Sequence, residues 1–315
     1  MWTTNFDGGG TQAKTLQELH CFPPLVGVLQ QEFKIFSFTI CILLSITALL
    51  GNFLILVALH KESSLHPPSK LLYRCLATTD LSVGLVAQPL YATYCMSVAQ
   101  EHWSLCRYAF DAAYTTGSAL CGVSLMTMMA ISVDRLLALL LGLRYGQSVT
   151  LTRTYIIVAI FWIVSSVAAL CYALDYRITI WFGYIIIPSC LVISFASYIK
   201  IFRGLSHHQA QVQDHVQQQP SQPNVLNMAR YKKAVYSALW VQLALVVCYA
   251  PYYIVDIVIA YSKTSSSDLV ILRSAAVILV YFNSTVNPFL YCWKISEVRQ
   301  AVKQTIRQAL CCPWS

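Results

Sequence analysis

An aspartate stands in the middle of a long apolar stretch, where a charged side chain is costly and needs partners. Asp80 lies within residues 76–81, which read LATTDL. Ionisable side chains inside membranes are rare and mark functional sites. Its candidate partners come from other apolar stretches: Asn52, Ser124, Asn283, Ser284 and Asn287. These oxygens suit a hard cation such as sodium. We predict a sodium site of Asp80, Ser124, Asn283 and Asn287, with a purely structural hydrogen-bond network as the alternative.

A proline bends the last apolar stretch of the chain. Residues 283–291 read NSTVNPFLY, so Pro288 directly follows Asn287. Proline removes one backbone hydrogen bond and kinks a helix. In lipid the freed carbonyl must find another donor, and Asn283, Ser284 and Asn287 are the nearby groups that we expect to supply it. Polarity retained at this depth favours a moving or signalling segment over a simple anchor.

The elements that position these residues are seven apolar stretches. The chain of 315 residues is 57% hydrophobic and 11% charged, with a mean hydropathy of +0.59, whereas soluble domains are about 25% charged. Each stretch is long enough to span a bilayer, which takes roughly 20 residues. They cover residues 35–59, 71–95, 108–140, 155–172, 178–202, 234–261 and 269–293. We predict an all-α membrane protein whose seven-transmembrane helix bundle occupies residues 35–293.

The distribution of basic residues predicts the orientation. Of the 21 lysines and arginines, six fall on the side of the N-terminus: Lys14, Lys34, Arg107, Arg177, Lys263 and Arg273. Because basic residues concentrate in cytoplasmic loops, residues 1–34 form a short extracellular N-terminus and residues 294–315 are cytoplasmic. We expect no cleavable signal peptide before residue 33. The net charge of +8 is therefore a topology signal, and we expect no nucleic-acid partner.

The last 22 or so residues predict an amphipathic cytoplasmic eighth helix on the membrane surface. Its apolar face comprises Ile295, Val298, Val302, Ile306 and Ala309, and its basic face comprises Lys294, Arg299, Lys303 and Arg307. Such a helix contacts membrane lipids and anionic head groups. Cys311 and Cys312 are candidate palmitoylation sites that would add an anchor; the alternative is a pair of unmodified tail cysteines. The largest cytoplasmic connection, residues 203–230, reads as a flexible polar linker.

Four of the twelve cysteines lie near the outer face, where oxidation can occur: Cys21, Cys95, Cys106 and Cys171. Most of the others lie inside apolar stretches and fit small core residues. Sequence alone does not fix which cysteines pair.

Six motifs occur in a family order, one in each of six spans. They are Gly51-Asn52, Leu76-Ala77-x-x-Asp80, Asp134-Arg135-Leu136, Trp162, Cys248-Tyr249-Ala250-Pro251 and Asn287-Pro288-x-x-Tyr291. In this register the chain resembles the rhodopsin-class (class A) G-protein-coupled receptors over residues 35–312. The resemblance implies a plasma-membrane receptor whose partners are an extracellular small-molecule or peptide ligand and a heterotrimeric G protein.

The resemblance also implies an activation mechanism. Arg135 would be held by Asp134 at rest and released to the G protein when span six swings outward. The remaining activation residues implied are Tyr198, Tyr249, Pro251, Asn287, Pro288 and Tyr291. Residues 230–233, at the base of span six, read RYKK and lack the acid that often completes the resting lock. We therefore predict appreciable basal activity.

Several positions depart from the family pattern. Tyr249 stands where tryptophan is usual, and Phe110 stands where the disulfide cysteine is expected. The nearest cysteine, Cys106, is one helical turn away, and Cys171 is the candidate partner for a disulfide. The short second outer loop and the missing cysteine make the chain similar to the melanocortin, cannabinoid and adenosine receptor group.

Two helical faces are candidates for the ligand pocket. Tyr249, Tyr252, Tyr253 and Asp256 are spaced i, i+3, i+4 and i+7, so they share one face of span six. By family analogy this face lines the pocket together with residues of spans three and seven: Asp111, Tyr114, Gly117, Ser118, Cys121 and Tyr281. The alternative is plain packing of a tyrosine stripe. Two carboxylates near the mouth would favour a cationic or amine-bearing ligand.

Other functions find less support. Amine receptors place an aspartate where Gly117 stands, and opsins need a lysine where Tyr281 stands. An enzyme is not expected, because no span contains a histidine and no Gly-rich phosphate loop is present. The alternatives are a receptor-like decoy that does not couple and an ion-coupled transporter or channel using Asp80. We expect no cofactor other than an allosteric sodium ion.

Overall fold

The protein is a bundle of seven apolar helices with an eighth, amphipathic helix. The computed structural model describes residues 21, 31–61, 65–216, 240, 243–259, 267–294 and 296–311. The helices are α1 (Gln31–Lys61), α2 (Pro67–Ala99), α3 (Trp103–Leu141), α4 (Leu151–Leu170), α5 (Tyr176–Val216), α6 (Leu243–Ile259), α7 (Ser267–Lys294) and α8 (Ser296–Cys311). Within the described ranges six helices are long enough to cross a membrane, and α6 is a shorter apolar helix. The predicted all-α bundle is confirmed.

The bundle carries its apolar side chains outward and many of its polar ones inward. Leu50 of α1, Ile163 of α4 and Ile185 of α5 are each 62% exposed. Asp80 and Asn287, in contrast, are completely buried. In water this distribution would be unfavourable, whereas in a bilayer the exposed side chains meet lipid tails.

Helices α1 and α7 approach closely at Pro288. A Cβ atom on Gly51 would lie 3.0 Å from the Pro288 ring, so glycine is what permits the approach. The carbonyl freed by Pro288 belongs to Ser284, four residues earlier. It accepts a hydrogen bond of 2.9 Å from the Asn52 side chain. The carbonyl freed by Pro288 is thus hydrogen-bonded by a side chain of α1. The expectation that polar residues of α7 itself would supply the donor is wrong.

Helix α2 contains one turn of π-helix, Val83–Ala87, just before Gln88 and Pro89. Proline cannot donate to the preceding turn, so the helix widens there. The Gly84 carbonyl instead accepts a hydrogen bond of 2.6 Å from Ser45. The turn fixes the rotation of the outer part of α2 relative to Asp80.

Two cytoplasmic predictions have different outcomes. Residues 204–216 continue α5 as helix and so do not begin a flexible linker, because their glutamine, alanine and leucine residues favour helix. The rest of that linker lies outside the described residues. The eighth helix is confirmed: Val298, Ala301 and Val302 are buried against the bundle, and its basic side remains outward. Nothing described bears on Cys312 or on the side chain of Cys311.

The disulfide prediction is wrong. Cys106 is bonded to Cys21, with Cα atoms 6.0 Å apart, and Cys171 is a free thiol. Cys21 lies against the start of α3, where it is bonded to the fully buried Cys106. We call the end of the bundle that carries this bond the disulfide end. The opposite end, which carries α8, is the α8 end.

Peptide mapping without reduction tests this pairing. We expect a cross-linked peptide containing Cys21 and Cys106, and Cys171 labelled by a thiol reagent. Replacing Cys21 by serine should therefore release Cys106 for labelling, whereas Cys171→Ser should leave the bond intact. Recovery of a peptide linking Cys106 to Cys171 would contradict the structure.

Candidate functional site

A cavity of about 160 Å³ lies among α3, α4, α5, α6 and α7 toward the disulfide end. Tyrosines dominate its wall: Tyr91, Tyr114, Tyr184, Tyr249, Tyr252, Tyr253 and Tyr281. Nine of the ten predicted pocket residues line it: Tyr114, Gly117, Ser118, Cys121, Tyr249, Tyr252, Tyr253, Asp256 and Tyr281. The tenth, Asp111, lies outside the lining and accepts a hydrogen bond of 2.7 Å from Tyr172.

The charge at the mouth of the cavity is a buried ion pair. Arg273 of α7 lies 2.8 Å from the Asp256 carboxylate of α6, and the two side chains are 15% and 13% exposed. The guanidinium also stands over the ring of Tyr252. The hypothesis of a cationic ligand rested on two carboxylates, Asp111 and Asp256, and this pairing neutralises the second of them. Sequence reasoning missed Arg273 as a site residue, although Arg273, Val277 and Tyr281 recur at helical spacing on one face of α7.

Gly117 and Tyr281 fit together across α3 and α7. A Cβ atom at Gly117 would lie 2.8 Å from the Tyr281 hydroxyl oxygen. Glycine on α3 thus makes room for a large side chain on α7. Any residue with a side chain at position 117 would displace this tyrosine from the cavity wall.

The inner end of the cavity lies next to the polar centre of the bundle. Tyr249 donates a hydrogen bond of 3.3 Å to the carbonyl of Cys121 on α3. One turn further along α3, Ser124 donates to Asp80 over 3.0 Å. A movement of Tyr249 would therefore act directly on α3, the helix whose Ser124 donates a hydrogen bond to Asp80.

Asp80 joins three helices through its two carboxylate oxygens. Oδ1 accepts hydrogen bonds from Ser124 and from Ser284 at 2.8 Å, and Oδ2 accepts from Asn287 at 2.7 Å. The fourth predicted member, Asn283, is directed elsewhere: its amide contacts the sulfur of Met128 at 3.4 Å. One residue along a helix is a rotation of about 100°, so Ser284 and not Asn283 faces Asp80.

The same region holds polar atoms that a cation would satisfy. The amide oxygens of Asn52, Asn283 and Asn287 are buried without a hydrogen-bond partner among the described residues. Asn52 bonds the Ser284 backbone and Asn287 bonds Asp80, so at least two of these oxygens border the network. One carboxylate, hydroxyls and amide oxygens form the donor set that sodium prefers. The residues present therefore fit a sodium ion.

Arg135 is restrained at the α8 end. Both its Nε and one terminal nitrogen bond the Asp134 carboxylate, and it also contacts Ser69 of α2. Asp134 accepts further hydrogen bonds from Ser69, at 2.9 Å, and from Tyr145 in the turn after α3. Burial and the bond to Asp134 raise the pKa of Tyr145 to about 12, so this hydroxyl stays a donor at neutral pH. No sequence signal identified Ser69 or Tyr145.

The other predicted activation residues are placed in part. Tyr198 of α5 is buried and accepts a hydrogen bond of 3.2 Å from Ser132 of α3. Pro251 lies within α6 and Pro288 within α7. Tyr291 is in α7, but its side chain is outside the described residues, as are residues 230–233.

The described part of the chain is a seven-helix bundle with a cavity toward one end and a restrained arginine at the other. The model of the 7 transmembrane receptor (rhodopsin family) matches residues 51–177 and 172–291. The chain belongs to this family, and it is a G-protein-coupled receptor by class.

The curated relatives of this chain include adenosine receptors. The chain is 26% identical over 311 residues to adenosine receptor A2a of Homo sapiens, covering 85% of this chain and 71% of the relative. It is 25% identical over 313 residues to adenosine receptor A2a of Canis lupus familiaris, with the same coverage of 85% and 71%. For adenosine receptor A2b of Gallus gallus the identity is 23% over 318 residues, covering 86% and 88%.

Proposed function

We propose that this receptor binds an extracellular ligand in the cavity and activates heterotrimeric G proteins at the α8 end. The observation that carries the proposal is the arrangement of α3. Its outer half lines the cavity, its middle holds Ser124 on Asp80, and its last turns carry the restrained Arg135. One rigid element thus touches the ligand cavity, the polar centre and the coupling residue.

The mechanism is a population shift between two arrangements of the bundle. A ligand that contacts Tyr249 favours a state in which α6 is displaced at the α8 end, with Pro251 and Pro288 as hinges. Release of Arg135 from Asp134 and Ser69 then exposes its guanidinium to the G protein. Sodium at Asp80 would favour the resting arrangement. Ligand and G protein affect one equilibrium, so each raises the affinity for the other.

The proposed orientation places the cavity outside the cell. The basic residues near the α8 end favour the cytoplasm, and the N-terminus is then extracellular at the plasma membrane. Because the relatives are named adenosine receptors, adenosine is the first ligand to test. The Asp256–Arg273 pair leaves the cavity mouth with no net charge, which suits an uncharged nucleoside.

Basal nucleotide exchange on a panel of G-protein families tests the coupling proposal. We expect exchange without ligand, and we expect Arg135→Ala to reduce it about tenfold or more, which corresponds to roughly 1.4 kcal/mol. Arg107→Ala is the matched control, since Arg107 is an exposed arginine at the other end of α3. All proteins are compared at equal surface expression.

Three outcomes would contradict parts of this proposal. Exchange that is unaffected by Arg135→Ala would remove Arg135 from the mechanism. Silence on every G-protein family, both with and without adenosine, would favour the decoy alternative. Ion flux that persists without G proteins would favour the transporter or channel.

A further inference from the structure

Part of the cavity wall lies between α3, α4 and α5. We call the part lined by Gly122, Ser165, Ala168, Thr179 and Gly183 the side chamber. Small side chains leave the space open: a Cβ atom on Gly183 would meet nothing within 4 Å. Thr179 of this wall donates a hydrogen bond of 2.7 Å to the Ala168 carbonyl and so joins α5 to α4.

Ser165 is the exceptional polar group of this wall. Its side chain is 1% exposed, and its hydroxyl has no hydrogen-bond partner among the described residues. Four other hydroxyls of the wall bond backbone carbonyls: Ser118 bonds Tyr114, Thr179 bonds Ala168, Tyr184 bonds Asp256 and Tyr249 bonds Cys121. A buried hydroxyl without a partner costs free energy. A ligand that bonds it would recover that cost.

Gly122 fixes where this hydroxyl can lie. A Cβ atom on Gly122 would approach the Ser165 Oγ to 2.8 Å, so the glycine on α3 provides the room for it. Serine hydroxyls elsewhere in these helices bond the carbonyl four residues earlier, as Ser132 and Ser189 do. Ser165 does not.

The cavity mouth determines the charge of what can bind. The charged side chains among the lining residues are Asp256 and Arg273, and they neutralise each other. A charged ligand would have to break this pair to find a counter-ion. An uncharged ligand would leave it intact.

We propose that the side chamber is a recognition subsite in which Ser165 bonds the hydroxyl or carbonyl group of an uncharged ligand whose apolar body lies among the tyrosines. This deepens the proposed function and rests on the cavity being the ligand site. Ser165 selects the ligand by its hydrogen-bonding group, and the tyrosine wall selects it by its apolar surface.

Four small probes that share one aromatic body test the subsite. They are 2-phenylethanol, 2-phenylethylammonium, phenylacetate and propylbenzene, which replaces the hydroxyl by a methyl group. Each is titrated against the full chain in lipid nanodiscs, and the thermal unfolding midpoint is recorded. A compound that binds the folded state raises this midpoint. Comparison among protein variants removes the effect of partition into lipid.

We expect 2-phenylethanol to raise the midpoint more than either charged probe. Ser165→Ala should weaken its binding about five- to tenfold, the effect of one hydrogen bond, and should leave propylbenzene unchanged. Ser194→Ala is the matched control: Ser194 is also buried without a described partner but lies outside the cavity lining. Ser165→Ala breaks no hydrogen bond among the described residues, so the variant should fold.

Three results would overturn the proposal. They are equal or tighter binding of 2-phenylethylammonium, equal effects of Ser165→Ala and Ser194→Ala, and failure of every probe to raise the midpoint. These results are separate from G-protein coupling. A chain that binds 2-phenylethanol through Ser165 without stimulating exchange would retain the subsite and lose the coupling proposal.

Discussion

Replacing Asp256 by asparagine is expected to destabilise the receptor by about 3–5 kcal/mol, because it removes the carboxylate that lies against a buried guanidinium. Asp256 and Arg273 are 13% and 15% exposed and 2.8 Å apart. The pair joins α6 to α7, so its loss also frees the outer end of α6. Thermal unfolding of the receptor in nanodiscs should show a midpoint lowered by several degrees.

A double-mutant cycle separates the pair from its surroundings. Arg273→Gln alone should be as harmful as Asp256→Asn, because each leaves one buried charge. The double variant should be more stable than either single variant, since no unpaired charge remains. Glu101→Gln, which removes an exposed carboxylate at the same end, should leave the midpoint unchanged. Additive effects of the two substitutions would show that the side chains do not interact.

This pair illustrates what the sequence could and could not predict. The helical spacing of Tyr249, Tyr252, Tyr253 and Asp256 correctly placed all four on one face toward a cavity. Spacing within a helix cannot say which side chain of another helix opposes that face. Arg273 therefore entered the sequence analysis only as a charge, and its pairing with Asp256 was not predicted.

Contacts between distant parts of the chain were also missed at the disulfide and at Pro288. The number of cysteines near the outer face left several pairings open, and the fold brings Cys21 to Cys106. The need for a donor at the kink was predicted, but the donor comes from α1 through Asn52. Lengths and polarity of the spans, in contrast, depend on local composition, so the seven helices and the eighth could be predicted closely.

The partners of Asp80 were predicted from the sequence in part. Asp80, Ser124 and Asn287 were correctly grouped from their positions in three apolar stretches, and they are in direct contact. The fourth member differs by one residue, because Ser284 faces Asp80 while Asn283 faces Met128. The predicted set therefore has the right helices and the wrong rotation for one side chain.

Sodium is expected to lower basal nucleotide exchange severalfold relative to choline at equal ionic strength, and Asp80→Asn should abolish this difference. The substitution keeps the shape of the side chain but removes the negative charge that a cation needs. Ser284→Ala should weaken the sodium response, since it deletes a hydroxyl bonded to Asp80. Ser274→Ala is the matched control on α7, because its hydroxyl bonds only the Val270 carbonyl among the described contacts.

The comparison of salts decides between a cation site and a structural network at Asp80. A structural network would make Asp80→Asn change exchange equally in sodium and in choline, because hydrogen bonds do not distinguish the two salts. A cation site would make the change specific to sodium, since choline is too large for the enclosed carboxylate. A sodium effect that persists in Asp80→Asn would place the ion elsewhere. Selective loss of the effect would identify Asp80 as the group through which sodium stabilises the resting bundle.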